Sequence, residues 1–550
     1  MSASDVCRAH IAPSPTYGGV GLFASTPIQP GSLILSLEEP LLAIPDVAYL
    51  EQTCSGCFCW VPDSGAAEYN VQQWLTSGHS AEPKSLKTCT GCKVVRYCDK
   101  HSSAGALKPA RQGIEVNGRR LTRSHPKQRC QALAWDNHHK YECKLFAHLH
   151  PKILPTPVRG TLRLLLLRQK DRLTDEQWSA LLKLLSHSED FRNAGGEKWE
   201  GICLMSKGAH AYSKTDCGED FVRELFCRII INSLTLATST FDSLGICLDP
   251  LVASINHSCD PNAVVTFDGS RLCLRSTSGI EKGGEIYISY IDSSHPTVRR
   301  QSELQSRYFF ACTCTKCQQT GPRRGDSLFC PQCGMESVMG QTCLDCGASG
   351  LTDYSSIENL LFDMLDRGKK ALDPENVIKP LRNSLAILRE TQVWPVTRQP
   401  LPSILHSLAI QFLALQQWAQ SLGYMLKIYF DIDPLLFPQP WHPERVMHHL
   451  RLTMLVLHLA DLSGNNHPSV KELEQYGLEY GVIIWGLLYE MNGNVDKSHG
   501  KESRFARTVK SKFEELRVDM ARGGNELHRT VSQSALDTEW AKMRKIAASS

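Results

Sequence analysis

Little in this chain steers it by charge. Its 60 Lys and Arg nearly cancel its 57 Asp and Glu, leaving a formal net charge of +3 over 550 residues. No global field draws such a chain onto nucleic acid or an acidic membrane. Long apolar runs are also missing. The longest leucine stretch, Leu164 to Leu167, is bounded by Arg163 and Arg168, far short of the roughly 20 residues that span a bilayer. Met1 to Pro15 lacks the apolar segment of a secretory signal. These absences point to a soluble intracellular protein, and a hydrophobic fraction of 42% is enough for several domains with cores.

Cysteine is present in excess, with 22 residues. In a small secreted domain such a count suggests disulfides; in a large chain without a signal it suggests metal. Fourteen cysteines fall in three regions, a fifteenth, Cys259, stands in a polar segment of its own, and the spacing decides. The first holds Cys54-x2-Cys57, Cys89-x2-Cys92, Cys98, Cys130 and Cys143, with His139. Seven thiolates and one imidazole are enough for two tetrahedral zinc sites. The second is Cys312-x-Cys314-x2-Cys317, whose three thiolates need a fourth ligand. The third, Cys330-x2-Cys333-x9-Cys343-x2-Cys346, has zinc-ribbon spacing. There Pro331, Gly334 and Gly347 suit tight knuckles that turn backbone amides toward sulfur. The scattered remainder (Cys7, Cys59, Cys203, Cys217, Cys227, Cys247 and Cys273) reads as ordinary semi-buried thiols.

Between the cysteines the pattern changes several times. Residues 11–45 read as short strands with a glycine-rich turn, Gly18-Gly19-Val20-Gly21-Leu22. Residues 54–143 have the composition of a metal-stapled module rather than a hydrophobic core. Helical periodicity returns over 158–235, with Leu162, Leu165, Leu166 and then Leu181, Leu182, Leu184 and Leu185. Residues 245–320 are strand-like. From about 354 onward helices dominate, as in Val377 to Leu388, Ile404 to Phe430, Arg445 to Leu462 and Leu473 to Met491, broken by proline-rich stretches. Successive amphipathic helices suggest a stacked array, although no clean repeat consensus recurs and a plain helical bundle is a rival reading.

Two segments carry the chemistry. Asn256-His257-Ser258-Cys259-Asp260-Pro261-Asn262 follows the apolar run Leu251 to Ile255. About thirty residues later comes Gly284-Glu285-Ile286-Tyr287-Ile288-Ser289-Tyr290. In composition, order and separation they resemble the signature segments of a SET domain, a protein methyltransferase fold in which both meet beside S-adenosylmethionine. With the first cysteine region, whose order resembles a MYND finger, the chain looks like the SET and MYND domain (SMYD) family of protein lysine methyltransferases. The resemblance implies an α+β fold: a β-rich SET domain split by a MYND zinc finger, a zinc-binding post-SET segment and an all-helical, tetratricopeptide-like C-terminal domain. The division it implies is 1–48 for the N-terminal part of the SET domain, 49–145 for the finger with insertions and 146–244 for a helical insert. Residues 245–320 then form the SET core and post-SET, 321–350 a zinc-ribbon-like insertion, and 351–550 the helical domain.

Roles follow from the resemblance by position. Cys54, Cys57, Cys98 and Cys130 would hold one zinc, and Cys89, Cys92, His139 and Cys143 another. The chain adds a residue before the histidine, so His138 rivals His139, and His101 is a weaker rival to Cys130. Cys259 would complete the post-SET site. S-adenosylmethionine would meet Gly19, Gly21, Leu22, Asn232, Asn256, His257, Tyr308 and Phe310. Where the family often carries a basic residue and an asparagine, this chain has Gly18 and Val20. Tyr290 would be the catalytic residue, orienting methyl and amine. A lysine of reference pKa about 10.4 is mostly protonated at neutral pH, so an apolar, aromatic channel must favour the neutral amine. Alignment of the reacting atoms does the rest.

The partner expected on this reading is a protein substrate, a histone tail or another lysine-bearing protein, met by a monomer in the nucleus and cytoplasm. Two other classes stay open. An adaptor with weak catalysis would bind proline-rich peptides through the finger and other proteins through the helical array. The basic stretch 108–129 (Lys108, Arg111, Arg119, Arg120, Arg123, Lys127 and Arg129 against Glu115) would allow weak DNA contact, but reads first as a solvated loop.

Overall fold

The computed structural model describes residues 6–16, 18–61, 86–98, 115–116, 119–120, 130–322, 325–368, 373–465, 467–522 and 531–549. They gather into two compact units. One holds the chain to Asn256 together with Ala263–Tyr287; the other holds His257–Asn262 and the chain from Ile288 onward. Among the described residues, no helix is long and apolar enough to cross a membrane. His101 and most of the basic stretch lie outside the described residues; within that stretch Glu115–Val116 pairs with Arg119–Arg120.

The first unit is built on small antiparallel sheets. One runs in the order Val6–Cys7, Leu33–Leu37, Arg271–Ser276, Ala263–Asp268. A second runs Leu234–Ala237, Ser243–Leu248, Leu42–Pro45. In a third, Ala9–Pro13 pairs with Val20–Ala24, and Val20–Ala24 with Glu285–Ile288. Leu33–Leu37 shows why such strands form. Its sequence LILSL is an unbroken apolar run except for Ser36, and Ile34 to Leu37 are buried, as expected of a strand covered on both faces.

A helix over Thr156–Gln169 locks sheet and finger together. It buries two arginines beside its leucines. Arg159 donates to the carbonyls of Leu154 and Pro45; burial lowers its guanidinium to about 10. Arg163 donates to the carbonyl of Ala43 and, through Nε and Nη2, to both carboxylate oxygens of Glu142 at 2.6 and 3.1 Å. The finger also has more apolar core than its composition promises. Leu50, Val94, Val95, Tyr97, Phe146 and Leu162 are buried around its cysteines.

Leucine periodicity overextends the next helix. It starts at a capping box, Thr174 with Gln177, and runs Asp175–Lys183. Leu184 is already extended, and Leu185 is 69% exposed. Arg228 Nε and Asn232 Nδ2 hold the carbonyls of Leu184 and Leu185, so tertiary hydrogen bonds end the helix where local pattern would continue it.

In the second unit, helix Thr297–Tyr308 interrupts what composition read as strand. Its N-terminus is held by Asp326, whose carboxylate accepts from Thr297 N at 2.5 Å and Thr297 Oγ1 at 2.7 Å. Next come the cysteine turn around Thr315–Gln318 and a three-stranded ribbon of Leu328–Phe329, Glu336–Met339 and Thr342–Cys343. The ribbon is pinned by Phe329 N donating to Val393 O, and by Arg398, which bonds both Asp326 O and Glu358. The rest is helical: Ser355–Gly368, Pro374–Thr391, Leu401–Ala414, Trp418–Lys427, Pro443–Gly464, Tyr480–Ser498, Arg504–Arg522 and Gln533–Ala548. The run expected over Ile404 to Phe430 is two helices, broken where Gln416 takes a positive φ.

Gly245 shows how tightly the second sheet is drawn. A β-carbon there would collide with Ile44 O and come within 2.7 Å of Pro45 Cα, main-chain atoms that cannot step aside. Gly245→Ala is expected to lower stability by about 2 kcal/mol or more, read as a fall in the denaturation midpoint.

Candidate functional site

Four groups of ligand-type side chains converge. They are Cys54, Cys57, Cys98 and Cys130; Cys89, Cys92, His139 and Cys143; Cys259, Cys312, Cys314 and Cys317; and Cys330, Cys333, Cys343 and Cys346. Within each group the donor atoms all lie within 4.8 Å of one another. The spacings discriminate between chemistries. Disulfide sulfurs are about 2.05 Å apart, whereas tetrahedral zinc with Zn–S near 2.3 Å implies S···S edges of about 3.8 Å. Here Cys57 and Cys98 are 3.5 Å apart, Cys89 and Cys143 3.9 Å, Cys259 and Cys317 3.6 Å, Cys330 and Cys346 3.8 Å. Donor set and distances fit zinc. The scattered cysteines join none of these groups.

Main-chain amides turn toward the sulfurs, as the glycine-bearing knuckles require. Val94 N meets Cys92 Sγ, Cys98 N meets Cys54 Sγ, Gln332 N meets Cys330 Sγ, and Cys346 N meets Cys343 Sγ, all at 3.4 to 3.5 Å. Such contacts stabilise thiolates and orient them.

The two adjacent histidines separate cleanly. Trp135–His139 forms one wide π-helical turn between helices Cys130–Ala134 and Lys140–Leu149. A π-turn is how a helix absorbs one extra residue, and the residue added before the histidine is absorbed there. His139 is 1% exposed, with Nε2 at 3.4 Å from Cys89 Sγ and 3.6 Å from Cys92 Sγ. His138 Nδ1 instead faces Glu142 Oε2 at 3.4 Å. Burial lowers the His139 imidazole, but Cys92, Glu142 and Cys89 together raise it to about 10. That pocket favours positive charge, which a divalent metal supplies equally well. Glu142 stands 3.9 Å from His139 Nδ1 and is held by Arg163, the carboxylate–histidine arrangement found behind metal ligands. No sequence spacing pointed to Glu142 or Arg163.

In the first unit, Gly18 and Gly19 both take positive φ, 70° and 64°, a conformation that a β-carbon disfavours. Leu22 is wholly buried, so its side chain belongs to the core. Gly21 lies under Glu285 and Asn256: a β-carbon would overlap Glu285 Oε1 and approach Asn256 Nδ2 to 3.0 Å. Asn256 Nδ2 donates to Val20 O at 3.1 Å and to Glu285 Oε1 at 2.7 Å. Asn232 Nδ2 is engaged by the carbonyls of Leu185 and Arg228, which leaves its oxygen for any ligand.

In the second unit, His257 links Tyr290 to the cysteines. Its Nδ1 accepts from Tyr290 N at 3.0 Å, so Nε2 carries the proton and points it at Cys259 Sγ, 3.2 Å away. Tyr290 packs against three rings, with centroids at 5.3 Å from His257, 5.1 Å from Tyr308 and 6.4 Å from Phe310. Tyr308 Oη donates to Tyr290 O at 3.3 Å. Ile291, Leu304 and the cysteines close this cluster. Arg300, 1% exposed, brings Nη2 to 3.8 Å from Cys317 Sγ and so offsets thiolate charge. Sequence spacing had not singled it out.

The chain is similar to several known proteins. A profile of the SET domain matches residues 19–291. SET domain and MYND-type zinc finger protein 6 of Schizosaccharomyces pombe is 32% identical over 301 residues, 54% of this chain and 50% of that protein. Histone-lysine N-methyltransferase SMYD3 of Homo sapiens is 26% identical over 310 residues, 54% of this chain and 59% of that protein. N-lysine methyltransferase SMYD2-B of Danio rerio is 32% identical over 240 residues, 42% of this chain and 48% of that protein. The chain thus spans about half the length of the curated relatives it matches.

Proposed function

We propose that the chain, which matches the SET domain over residues 19–291 and is similar to SET and MYND zinc finger (SMYD) proteins over about half their length, is an S-adenosylmethionine-dependent protein-lysine N-methyltransferase acting on histone or other protein lysines. The observation that carries the reading is the lock between the two signature segments, His257 Nδ1 on the Tyr290 amide, which sets Tyr290 among Tyr308 and Phe310. The cofactor supplies a methyl group on a sulfonium.

What the chain contributes is environment and alignment. Rings of Tyr290, Tyr308 and Phe310 exclude water, which favours a neutral lysine amine over its ammonium form. Tyr290 orients the reacting groups, since its main chain is held at both the amide and the carbonyl. Asn256, His257, Gly19, Gly21 and the Asn232 oxygen are the proposed cofactor contacts. Zinc is structural in all four groups, each of which has four protein ligands and no open position. The Cys330 group braces the ribbon, a role separate from methyl transfer.

Calorimetric titration with S-adenosylmethionine tests the reading directly. Wild type is expected to bind and to transfer labelled methyl to lysine. Tyr290→Phe is expected to keep that affinity and lose about a hundredfold in turnover, the scale of one removed oriented donor. Absence of binding in folded, zinc-replete protein overturns the enzyme in favour of an adaptor.

Metal analysis checks the ligand sets. The purified chain is expected to carry four zinc ions, one for each group. His139→Ala is expected to lose about one equivalent and His138→Ala none. The reverse pattern would assign the site to His138.

A further inference from the structure

We propose that Glu285 is a positioning residue for the amide of Asn256, and that position 21 is glycine because this carboxylate occupies the space above it. The proposal rests on the reading of Asn256 as a cofactor contact.

An asparagine amide has a donor end and an acceptor end, and a binding site must decide which one the ligand meets. Both N–H groups of Asn256 are engaged, one by Val20 O and the other by Glu285 Oε1. Flipping the amide would set its oxygen against a carbonyl and a carboxylate, two acceptors. The flip is therefore closed off, and Asn256 presents Oδ1. The site offers an acceptor there and selects a donor on its ligand, such as the ammonium of an amino-acid moiety. The Glu285 charge behind the amide strengthens that preference.

Glu285 is itself held in place. It is 9% exposed, and its Oε2 accepts from Ser14 Oγ at 3.0 Å and Tyr287 Oη at 2.8 Å. Tyr287 Oη lies 3.4 Å from Thr16 Oγ1, so Ser14 and Thr16, just before the glycine loop, reach Glu285 and Tyr287 in turn. Gly21 completes the arrangement. Unlike Gly18 and Gly19, it is not among the positive-φ glycines, so its backbone does not require glycine. Space does: the atoms a β-carbon would strike are Glu285 Oε1 and Cδ and Asn256 Nδ2.

A carboxylate that merely staples strands would look similar in a stability assay, so the test is ligand discrimination. Wild type, Glu285→Gln, Gly21→Ala, Asn256→Ala and the double variant Glu285→Gln/Asn256→Ala are titrated with S-adenosylmethionine and with 5′-methylthioadenosine, which lacks the amino-acid end. Zinc content and melting temperature monitor the fold. Glu285→Gln is expected to weaken S-adenosylmethionine about tenfold, the scale of one charge-assisted hydrogen bond, and to leave 5′-methylthioadenosine unchanged; Gly21→Ala is expected to weaken S-adenosylmethionine as well. In the Asn256→Ala background, Glu285→Gln is expected to add nothing. Equal loss for both ligands, additive losses in the double variant, or an unaffected Glu285→Gln each overturn the positioning role while leaving the methyltransferase standing. A wild type that binds neither ligand removes the cofactor reading itself, and this proposal with it.

Discussion

Cys259 sits at the meeting point of two demands. Its sulfur lies 4.0 Å from Cys312 Sγ and 3.6 Å from Cys317 Sγ, spacings at which four thiolates repel unless a cation lies among them. The same sulfur accepts a hydrogen bond from His257 Nε2, and the other ring nitrogen of His257 accepts one from the Tyr290 amide. A cation at this group would hold the sulfur as thiolate, and the imidazole joins that sulfur to the main chain of Tyr290. The ligand group and the setting of Tyr290 are one connected problem in this unit.

The finger repeats the logic with a different second partner. His139 turns Nε2 to the sulfurs and Nδ1 toward Glu142, and Glu142 is clamped by Arg163 from the helix that also binds strand Leu42–Pro45 through Arg159. The wide turn Trp135–His139 makes this possible. One extra residue in a regular helix would rotate the histidine by about 100° away from the sulfurs; as a π-turn it leaves both flanking helices in phase. The finger thus rests on its two convergent ligand sets, on an apolar core of its own and on a buried ion pair.

How much of this was legible varies by residue. Ligand spacing is local and chemically constrained, so every cysteine read as a ligand falls into one of the four groups, Cys259 with Cys312, Cys314 and Cys317 included. Tyr290, Tyr308 and Phe310 were found from their place in the motifs, and their rings do pack together. Leucine periodicity carried helix Asp175–Lys183 too far, because the carbonyls that end it are bound by side chains from Arg228 and Asn232. The residue added before the histidine made His138 a rival to His139; the His139-x3-Cys143 spacing favoured His139, and it is His139 that meets the sulfurs.

Residue types at fixed intervals, by themselves, determined the metal chemistry, the two signature segments and the helical character of the C-terminal region, because ligand number, motif order and periodicity are properties of a short stretch of chain. Only tertiary structure decided which partner each polar group meets. Glu142 and Arg163 are 21 residues apart, Asn256 and Glu285 29, and Ser14 and Glu285 271. None of these pairs has a periodic signature. They form because a buried polar group requires a partner, and the fold alone determines which ones are within reach.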